Sequence, residues 1–380
     1  YLAVRYGFAG VEAAANDWLA GLTGREGLRN KLRRLAGRRA KGYDVILTLD
    51  MALQANAMTL LGERRGAVVV LEPQTARVLA LASTPSFDPE EIERRWPQLS
   101  RDPDAPLFNR ALNGLYPPGS VAKLLTAAAA LETDPAARQR QFSCPGYLEI
   151  GGRRLRCTRA HGVVNLQEAL VHSCNAAVGR LALTLNTQDF GRAAAAWGFG
   201  RPVPFDLPTA ASSFPLGRLE ANGLVEAAIG QGKVMMTPLH VAWLTAAVAN
   251  GGSAAAPRLV AAVRDSSGRV VALPQKTARL EPFPPAVARF LGESMAAAVA
   301  RGTARLAAMP GVPVAGKTGT AENPHGPPHA WFTGFAPVAA PQVVVTVVVE
   351  NAGSGGEVAA PLARELFLAA LAGQGNERVR

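Results

Sequence analysis

The chain has 380 residues, 48% of them hydrophobic and 18% charged, and a formal net charge of +11. That composition supplies a sizeable core and excludes global disorder; its longest wholly apolar runs fall short of the ~18 to 20 residues that span a bilayer. The charge points first to nucleic acid or an anionic membrane surface, yet eight cations and a single acid fall within residues 24–41, so most of the excess is local.

The chain starts at Tyr1 without Met, which reads as a fragment or a processed form. Residues 11–22 read as a helix with Val11, Ala14, Ala15, Trp18, Leu19 and Leu22 on one side. The basic stretch follows. It is either a solvated Arg-rich connector or a contact for anionic lipid headgroups or a membrane partner. Nucleic-acid binding lacks aromatic interleaving and a helix-turn-helix signature. Residues 45–49 read as a strand, and Asp50 as the N-cap of a helix to about residue 61. Residues 66–71 and 77–82 form a hairpin around a turn at 73–76. A loop rich in Pro, Asp and Arg then leads to Pro117-Pro118-Gly119.

Residues 120–131 form an apolar helix that should be buried. Helices recur over 166–185, 187–196 and 238–249. Strands return over 312–321, 329–336 and 342–350, and a closing helix covers 358–371. With strands at both ends and helices between, the economical fold is α+β: an antiparallel sheet built from both ends of the chain, flanked by helices, with an inserted mainly helical subdomain.

Cys144 and Cys157 flank a candidate hairpin with Gly151-Gly152 at its tip. They are either disulfide-bonded or two unpaired thiols. The five histidines form no metal signature: His325 and His329 have i, i+4 spacing, but Pro327 and Pro328 exclude the helix that would align them, which leaves both in a loop.

Three patterns carry chemistry. In Ser120-Val121-Ala122-Lys123, the i, i+3 spacing puts the Lys amine within reach of the Ser hydroxyl on a helix. Pro118 and Gly119 place Ser120 at the positive end of the helix dipole. Serine is a weak nucleophile until a base takes its proton, and a buried lysine can be that base. About one SxxK occurs by chance in such a chain, but a lysine followed by Leu124, Leu125 and Ala127 needs a reason. Ser173-Cys174-Asn175 offers a hydroxyl and an amide to a cleft; alone it fits equally well as local backbone satisfaction. In Lys317-Thr318-Gly319-Thr320, on a strand, Lys317 and Thr318 suit a substrate carboxylate, and Gly319 admits a close approach.

Each pattern occurs once, in the order SxxK, SxN, KTG. At this point the chain resembles the serine penicillin-recognising enzymes, and most closely the class B penicillin-binding proteins, the monofunctional peptidoglycan transpeptidases. The resemblance extends to Gly66–Pro73, Ser83–Pro89, Tyr116–Ser120, Ile229–Gly232 with Thr237-Pro238-Leu239, and Trp331–Pro337. Gly7, Gly10 and Glu12 resemble the end of that family's non-catalytic pedestal. The resemblance therefore implies a pedestal remnant and basic linker over 1–42, a transpeptidase domain over 43–373 and a tail over 374–380.

It also implies roles. Ser120 is the nucleophile and Lys123 its base. Ser173 and Asn175 relay protons and hold the donor peptide. Lys317 and Thr318 bind the terminal carboxylate, and the backbone N–H groups of Ser120 and Thr320 form the oxyanion hole. No metal or organic cofactor is implied. The implied partners are stem peptides ending in D-Ala-D-Ala, an amine acceptor, β-lactams as covalent inhibitors and a polytopic membrane glycosyltransferase. The implied location is the extracytoplasmic side of the cell membrane, with one N-terminal anchor outside this chain.

A class A β-lactamase would show Glu-x-x-x-Asn between the second and third motifs; the matches, Glu12 to Asn16 and Glu26 to Asn30, lie far upstream. Class C and D enzymes carry Tyr-x-Asn or Ser-x-Val where this chain has Ser-Cys-Asn. A penicillin-sensing domain sits poorly with the pedestal remnant. A non-catalytic interaction module of the cell-wall machinery sits poorly with a complete motif set.

Overall fold

The computed structural model describes residues 10–38, 40–215, 219–273 and 279–377. Gly7, Arg39 and the last three residues of the expected tail lie outside them. Among the described residues the largest sheet has five strands: β1 (Gly66–Leu71), β2 (Val78–Thr84), β3 (Ala315–Asn323), β4 (Gly326–Ala336) and β5 (Val343–Val349). Their order is β3-β4-β5-β1-β2, antiparallel throughout. The sheet is thus assembled from the two ends of the chain, as its patterning predicts.

All of β1 and all of β5 are buried. Helices cover both faces, so these strands read as continuous Val-rich runs instead of alternating. One face carries Ala67, Val69, Trp331, Phe335, Val344 and Val348, packed with the helices Lys123–Thr133, Pro238–Ala249 and Pro285–Arg301. The other carries Val68, Val70, Phe332, Val345 and Val347, packed with Met51–Leu61 and Ala359–Glu377. Asp50 caps the first of these last two, accepting from the backbone N–H groups of Ala52 and Leu53.

Several expectations change at their edges. The helix expected over 11–22 is two short pieces, Gly10–Ala14 and Asn16–Leu19. The basic stretch has regular structure: Gly24–Leu35 is a helix, with Leu28, Leu32 and Leu35 exposed. The single helix expected over 166–185 is two, Leu166–Val171 and Asn175–Ala182. The closing helix runs on to Glu377, into the expected tail. His329 belongs to β4, as the strand expected over 329–336 has it and not as the loop that Pro327 and Pro328 suggest. The helical middle also holds small sheets: Gln141–Cys144 pairs with Gly162–Asn165, and Tyr147–Ile150 with Arg153–Arg156 around Gly151 and Gly152, both at positive φ.

Candidate active site

The Pro117-Pro118-Gly119 turn holds the start of the nucleophile helix. Gly119 has φ 53°, and a 3-10 turn over Gly119–Ala122 leads into the α-helix Lys123–Thr133. Two backbones close on this turn. The Gly119 N–H donates to the Gly230 carbonyl at 2.9 Å, and a Cβ at Gly230 would stand 2.1 Å from the Gly119 carbonyl oxygen. On the other side a Cβ at Gly319 would stand 2.7 Å from the Pro118 carbonyl oxygen. The indole of Trp331 donates to the Pro117 carbonyl at 3.0 Å.

Lys123 is fully buried. Its ammonium donates to the Ser173 carbonyl (2.5 Å), the Ser173 hydroxyl (3.1 Å) and Asn175 Oδ1 (2.5 Å). Lys317, 1% exposed on β3, donates to the same Ser173 hydroxyl at 3.1 Å and to the Thr318 carbonyl at 3.0 Å. Ser173 Oγ therefore lies between two buried amines. It gets there because Ser173 adopts φ 55° in the break between the two helices, a left-handed conformation that costs a non-glycine residue roughly 1–2 kcal/mol. The Cys174 N–H closes the first helix on the Ala169 carbonyl at 2.8 Å. Burial lowers the Lys123 ammonium to about 8. Burial, and then the charge of Lys123, hold Lys317 well below the usual lysine range.

Ser120, Ser173, Asn175, Thr318 and Thr320 all line one cleft of about 790 Å³. Its far wall is the hairpin with Arg153, Arg154 and Arg156, and Gln231, Glu226 and Glu322 complete its rim. The cleft follows β3, the sheet's edge strand, whose outer backbone groups are free of ladder pairing.

Sequence reasoning missed three supports. Thr303 accepts a hydrogen bond from the Thr318 hydroxyl at 2.9 Å. Glu350 accepts from Arg110 Nε and from the Tyr116 hydroxyl, both at 2.8 Å, behind the nucleophile turn. Burial opposes the Glu350 charge, but these donors hold its carboxyl below the usual range; burial and the Glu350 charge push the Tyr116 phenol up. The signal for Glu350 was an acid ending a run of buried valines. The third support is Cys174. Cys144 and Cys157 do approach each other, with Sγ atoms 3.6 Å apart and no bond between them in this structure. Cys174 Sγ lies 3.9 Å from Cys157 Sγ and His161 Nδ1 3.4 Å from Cys144 Sγ, so four side chains from separate elements meet beside the relay.

A lysine that is buried and depressed, a serine that is shared by two amines and a second serine at a helix start define a serine acyl-transfer site. The family model for the penicillin-binding protein transpeptidase domain matches residues 66–368. The chain is 34% identical to the peptidoglycan D,D-transpeptidase PbpA of Mycobacterium tuberculosis, over 98% of this chain and 82% of that protein. It is 31% identical to MrdA of Acinetobacter baumannii, over 95% and 60%. Among solved structures, a ceftriaxone acyl-enzyme of penicillin-binding protein A from M. tuberculosis superposes with a TM-score of 0.88 at 33% identity, covering 98% of this chain and 89% of that one. A Helicobacter pylori complex of penicillin-binding protein 2 with MreC gives 0.76 at 26% identity, covering 86% and 64%. The chain belongs to the penicillin-binding protein transpeptidase family, in its class B branch, and is a serine-type peptidoglycan D,D-transpeptidase.

Proposed function

We propose that Ser120 is the nucleophile, and that Ser173, Asn175, Lys123 and Lys317 serve it as one proton-handling unit. The observation that carries this is the Ser173 hydroxyl, 3.1 Å from both lysine Nζ atoms in the cleft that Ser120 lines. Lys123, neutral, takes the proton as Ser120 Oγ attacks the carbonyl between two terminal D-alanines. The oxyanion is held by the backbone N–H groups of Ser120 and Thr320. The C–N bond breaks, and Ser173 passes a proton to the leaving D-Ala amine. An acceptor amine then attacks the ester and gives up its proton, and Ser120 recovers its own as the cross-link forms. Lys317 and Thr318 bind the donor's terminal carboxylate, and Gly319 keeps β3 close to the nucleophile turn. A β-lactam enters by the same attack and stays as the acyl-enzyme.

No helix among the described residues is long and apolar enough to cross a membrane. Work on a cell-wall peptide supports an extracytoplasmic location for the domain, and a membrane anchor outside this chain and a polytopic glycosyltransferase that supplies glycan strands complete the proposal. Residues 1–42 are assigned to a pedestal remnant and linker, 43–373 to the transpeptidase domain.

Labelling with a fluorescent penicillin tests the assignment. Ser120→Ala should lose all covalent label while melting like the parent; label retained by a folded Ser120→Ala chain shows that another residue is acylated. Lys123→Ala should acylate at least ~100-fold more slowly, and undiminished acylation removes Lys123 as the base.

A further inference from the structure

The helix Gly24–Leu35 turns its apolar side to solvent. Leu28, Leu32 and Leu35 fall at i, i+4 and i+7, on one side of it, and are 67%, 62% and 86% exposed. At about 100° per residue Asn30 lies opposite them, and it is buried. Its side chain donates to the carbonyls of Gly21 (2.9 Å) and Lys41 (2.7 Å) and accepts from the Lys41 N–H at 3.0 Å and from the Arg33 guanidinium at 3.2 Å. The polar side is therefore pinned to the fold, and the leucines face outward.

Exposed leucines scattered singly are ordinary; three in register are not. Cations border them. Residues 24–41 hold eight Lys or Arg and one acid. Arg29 and Lys31 fall on either side of the leucine stripe and, like Arg38 just beyond the helix, are exposed. The apolar surface continues past Arg29: Gly24 and Arg29 share a groove of about 410 Å³ with Val270 and Val271, exposed residues of Val270–Ala272, the edge strand of a three-stranded sheet. This combination selects an occupant. A protein groove that took the leucines would need a matching rim of acids. A bilayer with anionic headgroups supplies acyl chains and negative charge together, and needs no shaped counterpart to a convex helix.

We propose that the helix Gly24–Leu35 lies in the surface of an anionic bilayer, with Leu28, Leu32 and Leu35 at the boundary of headgroups and acyl chains and Arg29, Lys31 and Arg38 among the headgroups. The proposal rests on the extracytoplasmic, membrane-anchored location inferred above and adds to it a second contact, made by this chain itself. A single flexible tether leaves a domain free to turn. A second contact, between the pedestal remnant and the transpeptidase domain, restricts which way the cleft faces. The anchor keeps the helix near lipid, so a modest affinity is enough.

Vesicle sedimentation tests the contact. The 380-residue chain is mixed with vesicles of phosphatidylglycerol and phosphatidylcholine in equal parts, or of phosphatidylcholine alone. The expected result is binding to the mixed vesicles at least ~10-fold tighter than to the neutral ones, weakening as salt rises. These two readings use the parent chain and need no variant. Leu28→Ser, Leu32→Ser and Leu35→Ser combined should weaken binding at least ~10-fold, and Lys31→Glu with Arg38→Glu should do the same. All five positions are exposed, so both variants should melt like the parent. A parent chain that stays in the supernatant with mixed vesicles at millimolar lipid overturns the proposal. So do equal affinities for the two vesicles, or a triple leucine variant that binds like the parent. Self-association of the parent that the leucine variant lacks, read by analytical ultracentrifugation, also overturns it, because a second copy then covers the stripe. Labelling with fluorescent penicillin is scored in the same samples: a parent that labels but does not bind vesicles tells against this contact alone, and a parent that does not label tells against the serine assignment.

Discussion

Lys123 is the residue whose chemistry was most legible from sequence and is most constrained in structure. A charged side chain at the start of an otherwise apolar helix calls for a reason, and full burial beside Ser173 and Asn175 supplies one. Only the neutral amine can accept a proton, and burial brings its titration down to about 8. The rate of acylation by a penicillin should therefore climb as pH rises through about 8 and flatten above it, which stopped-flow labelling across pH would show. A flat profile between pH 6 and 9 would argue for a different base. Glu350 makes the opposite case: its only local mark is to be an acid ending a run of valines, and its partners Arg110 and Tyr116 lie more than 230 positions away. Arg110 is only 2% exposed. Glu350→Ala leaves that guanidinium buried without its carboxylate and should cost about 3–5 kcal/mol, read as a lower midpoint in urea unfolding.

Among the elements, the turns and caps followed from sequence and the breaks did not. Asp50 caps its helix because its carboxylate meets free N–H groups in the first turn, and such chemistry is local. The interruption at residues 172–174 is not local. Residues 166–185 have the apolar periodicity of one helix, and the chain leaves it because Ser173, at positive φ, delivers its carbonyl and hydroxyl to Lys123 fifty residues earlier. The cysteine cluster escaped for a similar reason: Cys144, Cys157, His161 and Cys174 span 31 residues and meet only after the hairpin and a small two-stranded sheet have formed. Gly230 tests an element-level contact. It sits at φ 73° against the nucleophile turn, so Gly230→Ala must displace Gly119. The expected outcome is a folded chain that takes up fluorescent penicillin at least ~10-fold more slowly; unchanged kinetics would mean that the turn is not set by this contact.

For the molecule as a whole, the antiparallel sheet made from both chain ends was legible because strand-like patterns cluster there and the middle is helical. Its register was not, since β4 and β5 are apolar along most of their length and admit several alignments. Behind the sheet, the closing helix packs on β4 and β5. Phe367 of the closing helix meets Phe332 edge-on, with centroids 6.2 Å apart, and both are fully buried. Phe367→Ala should cost about 3–5 kcal/mol and lower the melting temperature, while the folded fraction acylates at the parent rate because no cleft residue is touched. A matching loss of rate per folded molecule would show that this layer reaches the chemistry.

The glycines around the nucleophile have an evolutionary consequence. Gly119, Gly230 and Gly319 meet neighbouring main-chain carbonyls at separations no side chain could survive. Mutation cannot reshape the attacking turn from beneath without disabling cross-linking as well. A lineage under antibiotic pressure is left with the outer walls, where Arg153, Gln231 and Glu322 border the cleft and can vary without moving the serine. Drug tolerance in this protein should therefore accumulate at its rim, and compounds that draw their affinity from the glycine-walled floor should be the slowest to lose it.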